Sequence, residues 1–345
     1  MDGSDNGIAR RTVLMSAGAS IGAGLVSGIS TAQAQSTAAA APASSDIWSQ
    51  EYWAHKGPTK LSLWRKRVGA PRPGEKPLPV LFLVHGSSFS TRVSYDIQIP
   101  GNVDYSAMNL FARAGYDVWT MDHDGYGYSD SSGNNSDIAS GVADLKAAIP
   151  VVLKETGQVK VHMYGPSSGS IRAGAYAMVE PERVDRLVLA AFTYKGKDSV
   201  EMDRRRKRVA ELRTNTRRKR DADMIRSVYT RDGHAEAYDP ALIEAIVAAE
   251  MKHGDTIPSG TYLDMAVNLP LVDPTKIKTP VLMLRGEHDG NSTNDDLLDF
   301  YRQLPNGDRQ YVILPNTAHS LGYSKNRHLL WYAVKNFLAA PATVA

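Results

Sequence analysis

Val159-Lys160-Val161-His162-Met163-Tyr164-Gly165-Pro166-Ser167-Ser168-Gly169 is the stretch that decides the fold. An apolar, strand-like run ends at Gly165, and a helical pattern begins again at residues 171–178. Ser167 therefore sits at the apex of a sharp strand-to-helix turn. A free serine hydroxyl is a weak nucleophile, so an enzyme that uses one must expose it, pair it with a base and supply donors for the oxyanion. Glycines on both flanks allow the tight turn, and the N–H of Ser168 points to where an oxyanion forms. The pentapeptide alone says little in a chain with 28 glycines; the strand before it and the helix behind it give it weight.

The same strand-helix alternation extends outward from this turn. Val80-Leu81-Phe82-Leu83-Val84, running into His85-Gly86, is wholly apolar, as a strand buried on both faces must be. A helix is expected at 105–114, a strand at 116–121 ending in Asp122, and a helix at 138–155. Further strands are expected at 184–191, 280–284 and 311–314, with an early strand at 61–68. Helices follow, with Leu297, Phe300, Tyr301 and Leu304 on one face, then Leu330, Val334, Phe337 and Leu338. Such alternation predicts an α/β protein whose mostly parallel central sheet is flanked by helices. Ligands in such sheets bind beyond the carboxyl ends of the strands, where His85, Asp122, Ser167, Asp289 and His319 all fall.

Between 193 and 277 the alternation stops, and no convincing strand is visible. Asp239-Pro240 starts a helix there, Leu242, Ile243, Ile246 and Val247 form its apolar side, and Gly254 stops it. The segment is expected to be an all-helical cap over the rim. The predicted organisation is a core formed by 46–194 and 276–345, with a cap at 195–275.

The first 45 residues read differently. Arg10-Arg11 precede a mildly apolar stretch, Ala32-Gln33-Ala34 offers a small-residue cleavage site, and a low-complexity tract follows. Residues 1–34 are expected to be a twin-arginine-type export signal and 35–45 a linker, giving a periplasmic or secreted mature protein. The apolar stretch is too rich in glycine for a stable membrane span. With no cysteine in 345 residues, disulfides, thiolate metal sites and a cysteine nucleophile are excluded.

Taken together, His85-Gly86 after a central strand, the Ser167 turn, and an acid and a histidine after the last two strands resemble the α/β-hydrolase superfamily. The resemblance covers nearly all of the expected mature chain, and the order Ser, Asp, His is the one that family uses. It implies a serine esterase with Ser167 as nucleophile, His319 as base and Asp289 as acid, the last chosen by its spacing in Arg285-Gly286-Glu287-His288-Asp289. Glu287 is the alternative acid. Backbone N–H groups of Ser87 and Ser168 would form the oxyanion hole, His85 would shape that loop, and His123 and His288 lie near the rim. No metal or organic cofactor is implied. Lactone or amide hydrolysis by the same triad, and a ligand-binding receptor with weak hydrolysis, stay open.

One further signal lies in the cap. From 202 to 231 twelve Lys and Arg face four Asp and Glu, a surplus of eight where the whole chain carries only +3. Arg204-Arg205-Arg206-Lys207-Arg208 and Arg217-Arg218-Lys219-Arg220 are the dense blocks. Solvated basic helices are the plain reading, and attraction of anionic substrates or envelope polymers the sharper one. Nucleic-acid binding is not expected without interleaved aromatics. The expected partner is a small-molecule ester; acyl and alcohol specificity are not legible, and a homo-oligomer stays open.

Overall fold

A computed structural model describes residues 46–99 and 104–341. The expected export signal and linker lie outside them. An eight-stranded sheet has the order β1-β2-β4-β3-β5-β6-β9-β10. Its strands are β1 (Ile47–Lys56), β2 (Thr59–Val68), β3 (Val80–Val84), β4 (Asp117–Met121), β5 (Val161–Pro166), β6 (Val184–Ala190), β9 (Val281–Gly286) and β10 (Arg309–Leu314); β7 (Arg217–Lys219) and β8 (Thr256–Pro258) form a separate pair. β1 and β2 run antiparallel to their neighbours, and the six strands from β4 to β10 are mutually parallel.

The helices are α1 (Thr91–Tyr95), α2 (Ala107–Arg113), α3 (Ile138–Thr156), α4 (Ser168–Val179), α5 (Val200–Arg206), α6 (Val209–Thr214), α7 (Ala222–Thr230), α8 (Pro240–Glu250), α9 (Gly260–Val267), α10 (Asn294–Gln303) and α11 (Arg327–Leu338). The two-residue period of the strands divides the core between the two faces of the sheet. Val80, Phe82 and Val84 point to the face covered by Leu145 and Ile149 of α3, Ile171 of α4 and Phe300 of α10. Leu81 and Leu83 point to the other, under Phe111 of α2 and Leu330, Val334 and Phe337 of α11. That double coverage is why β3 reads as one unbroken apolar run.

The connection from β6 to β9 holds α5 to α9 and the β7-β8 pair. It carries its own apolar cluster, in which Ile225, Val228 and Tyr229 of α7 meet Leu242 and Ile246 of α8 and Phe89 and Val93 from around α1. Helix α8 starts as expected, with the Asp239 carboxylate accepting the Ala241 N–H at 2.9 Å and Pro240 in the first turn. The expectation of an all-helical segment is corrected by β7. Its Arg217-Arg218-Lys219 pairs antiparallel with Thr256-Ile257-Pro258. Three residues are too few to show a two-residue period, and the partner lies about forty positions away, so no local pattern announces the strand.

Candidate active site

The turn between β5 and α4 leaves Ser167 alone at φ 55° and ψ −127°. A residue with a Cβ seldom adopts that conformation, at a cost on the order of 1–3 kcal/mol, so the surroundings must impose it. The Ser167 N–H donates to Ala190 O at 2.9 Å, tying the turn to β6. A Cβ on Gly165 would overlap the carbonyl of Gly169, and a Cβ on Gly169 would overlap that of Val84. Close backbone approach thus requires glycine at both flanks.

The loops after β9 and β10 deliver the partners. His319 Nε2 stands 3.0 Å from Ser167 Oγ, and Nδ1 stands 2.8 Å from Asp289 Oδ1. Both side chains are buried. Asp289 Oδ1 also accepts the Asn291 N–H at 2.9 Å. Burial alone would raise the Asp289 carboxyl, but the His319 imidazole and the Asn291 N–H outweigh it and hold the group below the usual carboxylate range. It is an anion at neutral pH, able to fix the Nδ1–H tautomer that leaves Nε2 free to take a proton from Ser167. Asn291 Nδ2, 3.2 Å from Nε2, shares that acceptor. The His319 N–H donates to Asp232 Oδ2 at 3.0 Å, which anchors the loop from the β6–β9 connection.

Ser87 lies beside the turn, its Oγ 2.5 Å from Ser168 Oγ and accepting from Thr261 Oγ1 at 2.7 Å. Arg218 Nη2 donates to the Ser87 carbonyl at 2.7 Å. Two residues of the β6–β9 connection, Thr261 and Arg218, therefore pin the loop after β3. Neither the Ser87 nor the Ser168 N–H has a protein acceptor among the described residues. Ser168 opens α4, where an N–H has no intrahelical partner.

The other expected residues fall elsewhere. Glu287 is half exposed, and its carboxylate accepts the Asn316 N–H at 2.8 Å, not His319. His85 is fully buried, its Nδ1–H donating to Gly86 O at 2.7 Å and its Nε2 accepting the His123 N–H at 3.0 Å, so it shapes the loop. His123 bonds Asp144 at 3.0 Å, and His288 stacks on His234 with centroids 3.8 Å apart. Asp122 accepts the Thr91 and Tyr128 N–H groups at 2.7 and 3.0 Å. None of these five lines the Ser167 pocket. No group of three or more His, Asp and Glu among the described residues is placed to hold a metal ion.

That pocket is walled by aromatic groups including Phe89, Tyr95, Tyr164, Tyr323 and Trp331. Its polar lining was not legible in the sequence. The basic tract divides: Arg204 and Arg206 are exposed and paired within α5, to Glu201 and Asp203, whereas Arg205 is buried and, with Arg231 and Tyr262, reaches the pocket. The pairing of Arg217-Arg218-Lys219 with β8 buries Arg218. A solvated basic surface therefore describes only part of the tract. The signal that could have separated Arg205 from its neighbours is its position on the same side of a helix as Glu201 and Met202, the other buried residues of α5.

Comparison with known proteins agrees with this fold. Over 88 residues the chain is 41% identical to a 2-hydroxy-6-oxononadienedioate/2-hydroxy-6-oxononatrienedioate hydrolase of Paraburkholderia phymatum, a match covering 25% of this chain and 28% of that relative. The chain thus spans under a third of the length of the curated relatives it matches. Among solved structures it is similar to the 2-hydroxy-6-oxo-6-phenylhexa-2,4-dienoate hydrolase of Rhodococcus sp. strain RHA1, with TM-score 0.61, 15% identity, and 85% of this chain and 100% of that one covered. The carboxylesterase CesB of Bacillus subtilis aligns with TM-score 0.58 and 19% identity over 86% of this chain and 93% of that one. Residues 101–325 match the family described as serine aminopeptidase, S33, so the chain belongs to that family and has the α/β-hydrolase fold.

Proposed function

We propose that the chain is a serine esterase that cleaves carboxylic esters through an acyl-enzyme. The observation that carries this reading is the hydrogen-bonded series Ser167–His319–Asp289 opening on one pocket beside two unengaged backbone N–H groups. Ser167 Oγ attacks the ester carbonyl carbon while its proton passes to His319 Nε2. The carbonyl oxygen, now an anion, is held by the N–H groups of Ser87 and Ser168; loss of one such donor typically costs roughly 100- to 1,000-fold in rate. Asp289 stabilises the imidazolium, which returns its proton to the departing alcohol. Water, activated by the same nitrogen, then attacks the acyl carbon and frees Ser167. The positive φ of Ser167 keeps Oγ clear of the helix and close to Nε2.

A second reading draws on the curated relatives, which are named for hydrolysis of hydroxy-oxo-dienedioates. The test is turnover of a panel containing esters, lactones, amides and a hydroxy-oxo-dienedioate, with Ser167→Ala as control. Ester turnover above the other classes, lost in Ser167→Ala, is expected. Turnover of the dienedioate with negligible ester cleavage would favour the second reading, and ester turnover that survives in Ser167→Ala would overturn the nucleophile.

A further inference from the structure

Three guanidinium groups meet beside the Ser167 pocket, and two of them, Arg205 and Arg231, line it. Arg205 of α5, Arg218 of β7 and Arg231, just beyond α7, surround the ring of Tyr262 in α9; the Arg205 and Arg218 carbons lie 4.2 and 4.0 Å from its centroid. Arg205 and Arg218 are more than nine-tenths buried. Cations out of water need anions and a full set of acceptors, and here well-placed acceptors are sparse. Two carboxylates face them: Asp232, beside Arg231 and already bonded to the His319 N–H, and Glu201, which is shared. Its Oε1 stands 3.5 Å from Arg205 Nε and 3.6 Å from Arg231 Nη1, and its Oε2 3.4 Å from the exposed Arg204. None of these contacts has the close, parallel geometry of a fork-to-fork pair. Arg205 Nη1 reaches only the Met265 thioether, at 3.0 Å, a weak acceptor. The Nε atoms of Arg205, Arg218 and Arg231 have no hydrogen-bond partner among the described residues.

Arg218 is occupied by the Ser87 carbonyl. Arg205 has no such acceptor, Arg231 faces Tyr262, Glu201 and Asp232, the Nε of each is unbonded, and both line the cavity that holds Ser167 and His319. We infer that Arg205 and Arg231 form a carboxylate subsite, so that the ester taken by this pocket carries a second, ionised carboxyl group. A planar carboxylate is the ligand that matches an under-engaged guanidinium fork, and burial makes each such hydrogen bond stronger than at a surface. Phe89, Tyr164 and Trp331 supply the apolar wall for the body of the substrate between carboxylate and ester. Tyr262 responds to the same cluster: burial alone would raise its phenol, but the three guanidinium groups hold it down to about 6, so at neutral pH its phenolate is a counter-charge to them, while the Nε atoms on the cavity side stay unbonded.

This inference rests on the serine-esterase reading, and its test separates the two. Two matched pairs of activated esters are compared: p-nitrophenyl hemiglutarate with p-nitrophenyl valerate, and 4-acetoxybenzoate with phenyl acetate. The first pair places the carboxylate on the acyl side and the second on the alcohol side. The intact protein is expected to favour the anionic member of at least one pair in kcat/KM, and Arg205→Met or Arg231→Met to reduce that preference by about 10- to 100-fold, the loss expected for one charge-assisted hydrogen-bond pair. Arg208→Met, on an exposed arginine of the same tract paired with Glu211, should leave the preference unchanged. Binding is measured separately by calorimetry, titrating glutarate and benzoate into Ser167→Ala protein. Saturable binding that weakens in Ser167→Ala/Arg205→Lys supports the subsite even if the methionine variants fail to fold. No preference in either pair, or no carboxylate binding to Ser167→Ala, overturns it. Cleavage of the neutral esters by the intact protein would in that case leave the esterase reading standing.

Discussion

Asp289→Asn isolates the part of the site that the sequence left divided between two carboxylates. Asp289 is buried, accepts the His319 Nδ1–H at 2.8 Å, and is bonded on the same oxygen by the Asn291 N–H. An asparagine amide fits the same volume but can present its NH₂ to Nδ1. That stabilises the opposite tautomer and places the imidazole proton on Nε2, where the Ser167 proton must go. The analogous change in a well-studied triad lowers kcat by about 10⁴, equivalent to about 5.5 kcal/mol of transition-state stabilisation. Glu287→Gln removes a half-exposed charge and keeps an oxygen able to accept the Asn316 N–H, so ester turnover should stay within about twofold, as for most surface substitutions. The assay is steady-state hydrolysis of a p-nitrophenyl ester at pH 8, with circular dichroism to show that both variants fold. The Asp289 carboxyl is held low, so it is ionised throughout this range and only falling pH, through its folded value, would remove its charge. Equal effects of the two substitutions, or a larger one from Glu287→Gln, would refute the assignment.

Other consequences can be checked independently. Tyr262 should give one tyrosinate absorbance step near pH 6 that is missing in Tyr262→Phe; absence of any step before the alkaline range would contradict the guanidinium cluster around it. Gly169→Ala forces a Cβ into the Val84 carbonyl, so urea denaturation should show a loss of about 1–3 kcal/mol together with loss of ester turnover. Arg65 and Asp117 form a buried bidentate pair joining β2 to β4, at 2.9 and 2.5 Å. Arg65→Met leaves Asp117 charged and should lower unfolding free energy by about 3–5 kcal/mol, and an unchanged midpoint would count against that. If the first 34 residues direct export, amino-terminal sequencing of the mature protein should begin near Gln35, and an intact Met1 would exclude cleavage there.

How much of this was legible in the sequence depended on whether the information was local. Parallel strands buried on both faces, such as Val80–Val84, announce themselves because every position must be apolar. Ser167, His319 and Asp289 were legible because each lies within a few residues of a strand end, and an α/β sheet gathers those ends on one rim. Five other polar residues on that rim, Asp122, His85, His123, His288 and Glu287, share the positional signal yet line no part of the pocket; hydrogen bonds elsewhere engage four of them and His288 stacks on His234. The pocket's specificity was not legible. Arg205 and Arg206 are adjacent and chemically identical, and only the packing of α5 on α9 buries one beside Tyr262 and leaves the other in water. Strand β7 was hidden for a similar reason, since its pairing partner lies far along the chain.

If Ser167 becomes covalently acylated, it can be trapped with a reagent that phosphonylates an activated serine. The intact protein is incubated with a p-nitrophenyl phosphonate and digested, and the modified peptide is sequenced by mass spectrometry. Stoichiometric modification on Ser167 alone is expected, abolished in Ser167→Ala and strongly slowed in His319→Ala. Modification at Ser87, Ser168 or any other serine, with Ser167 unmodified while ester turnover is lost, would contradict it.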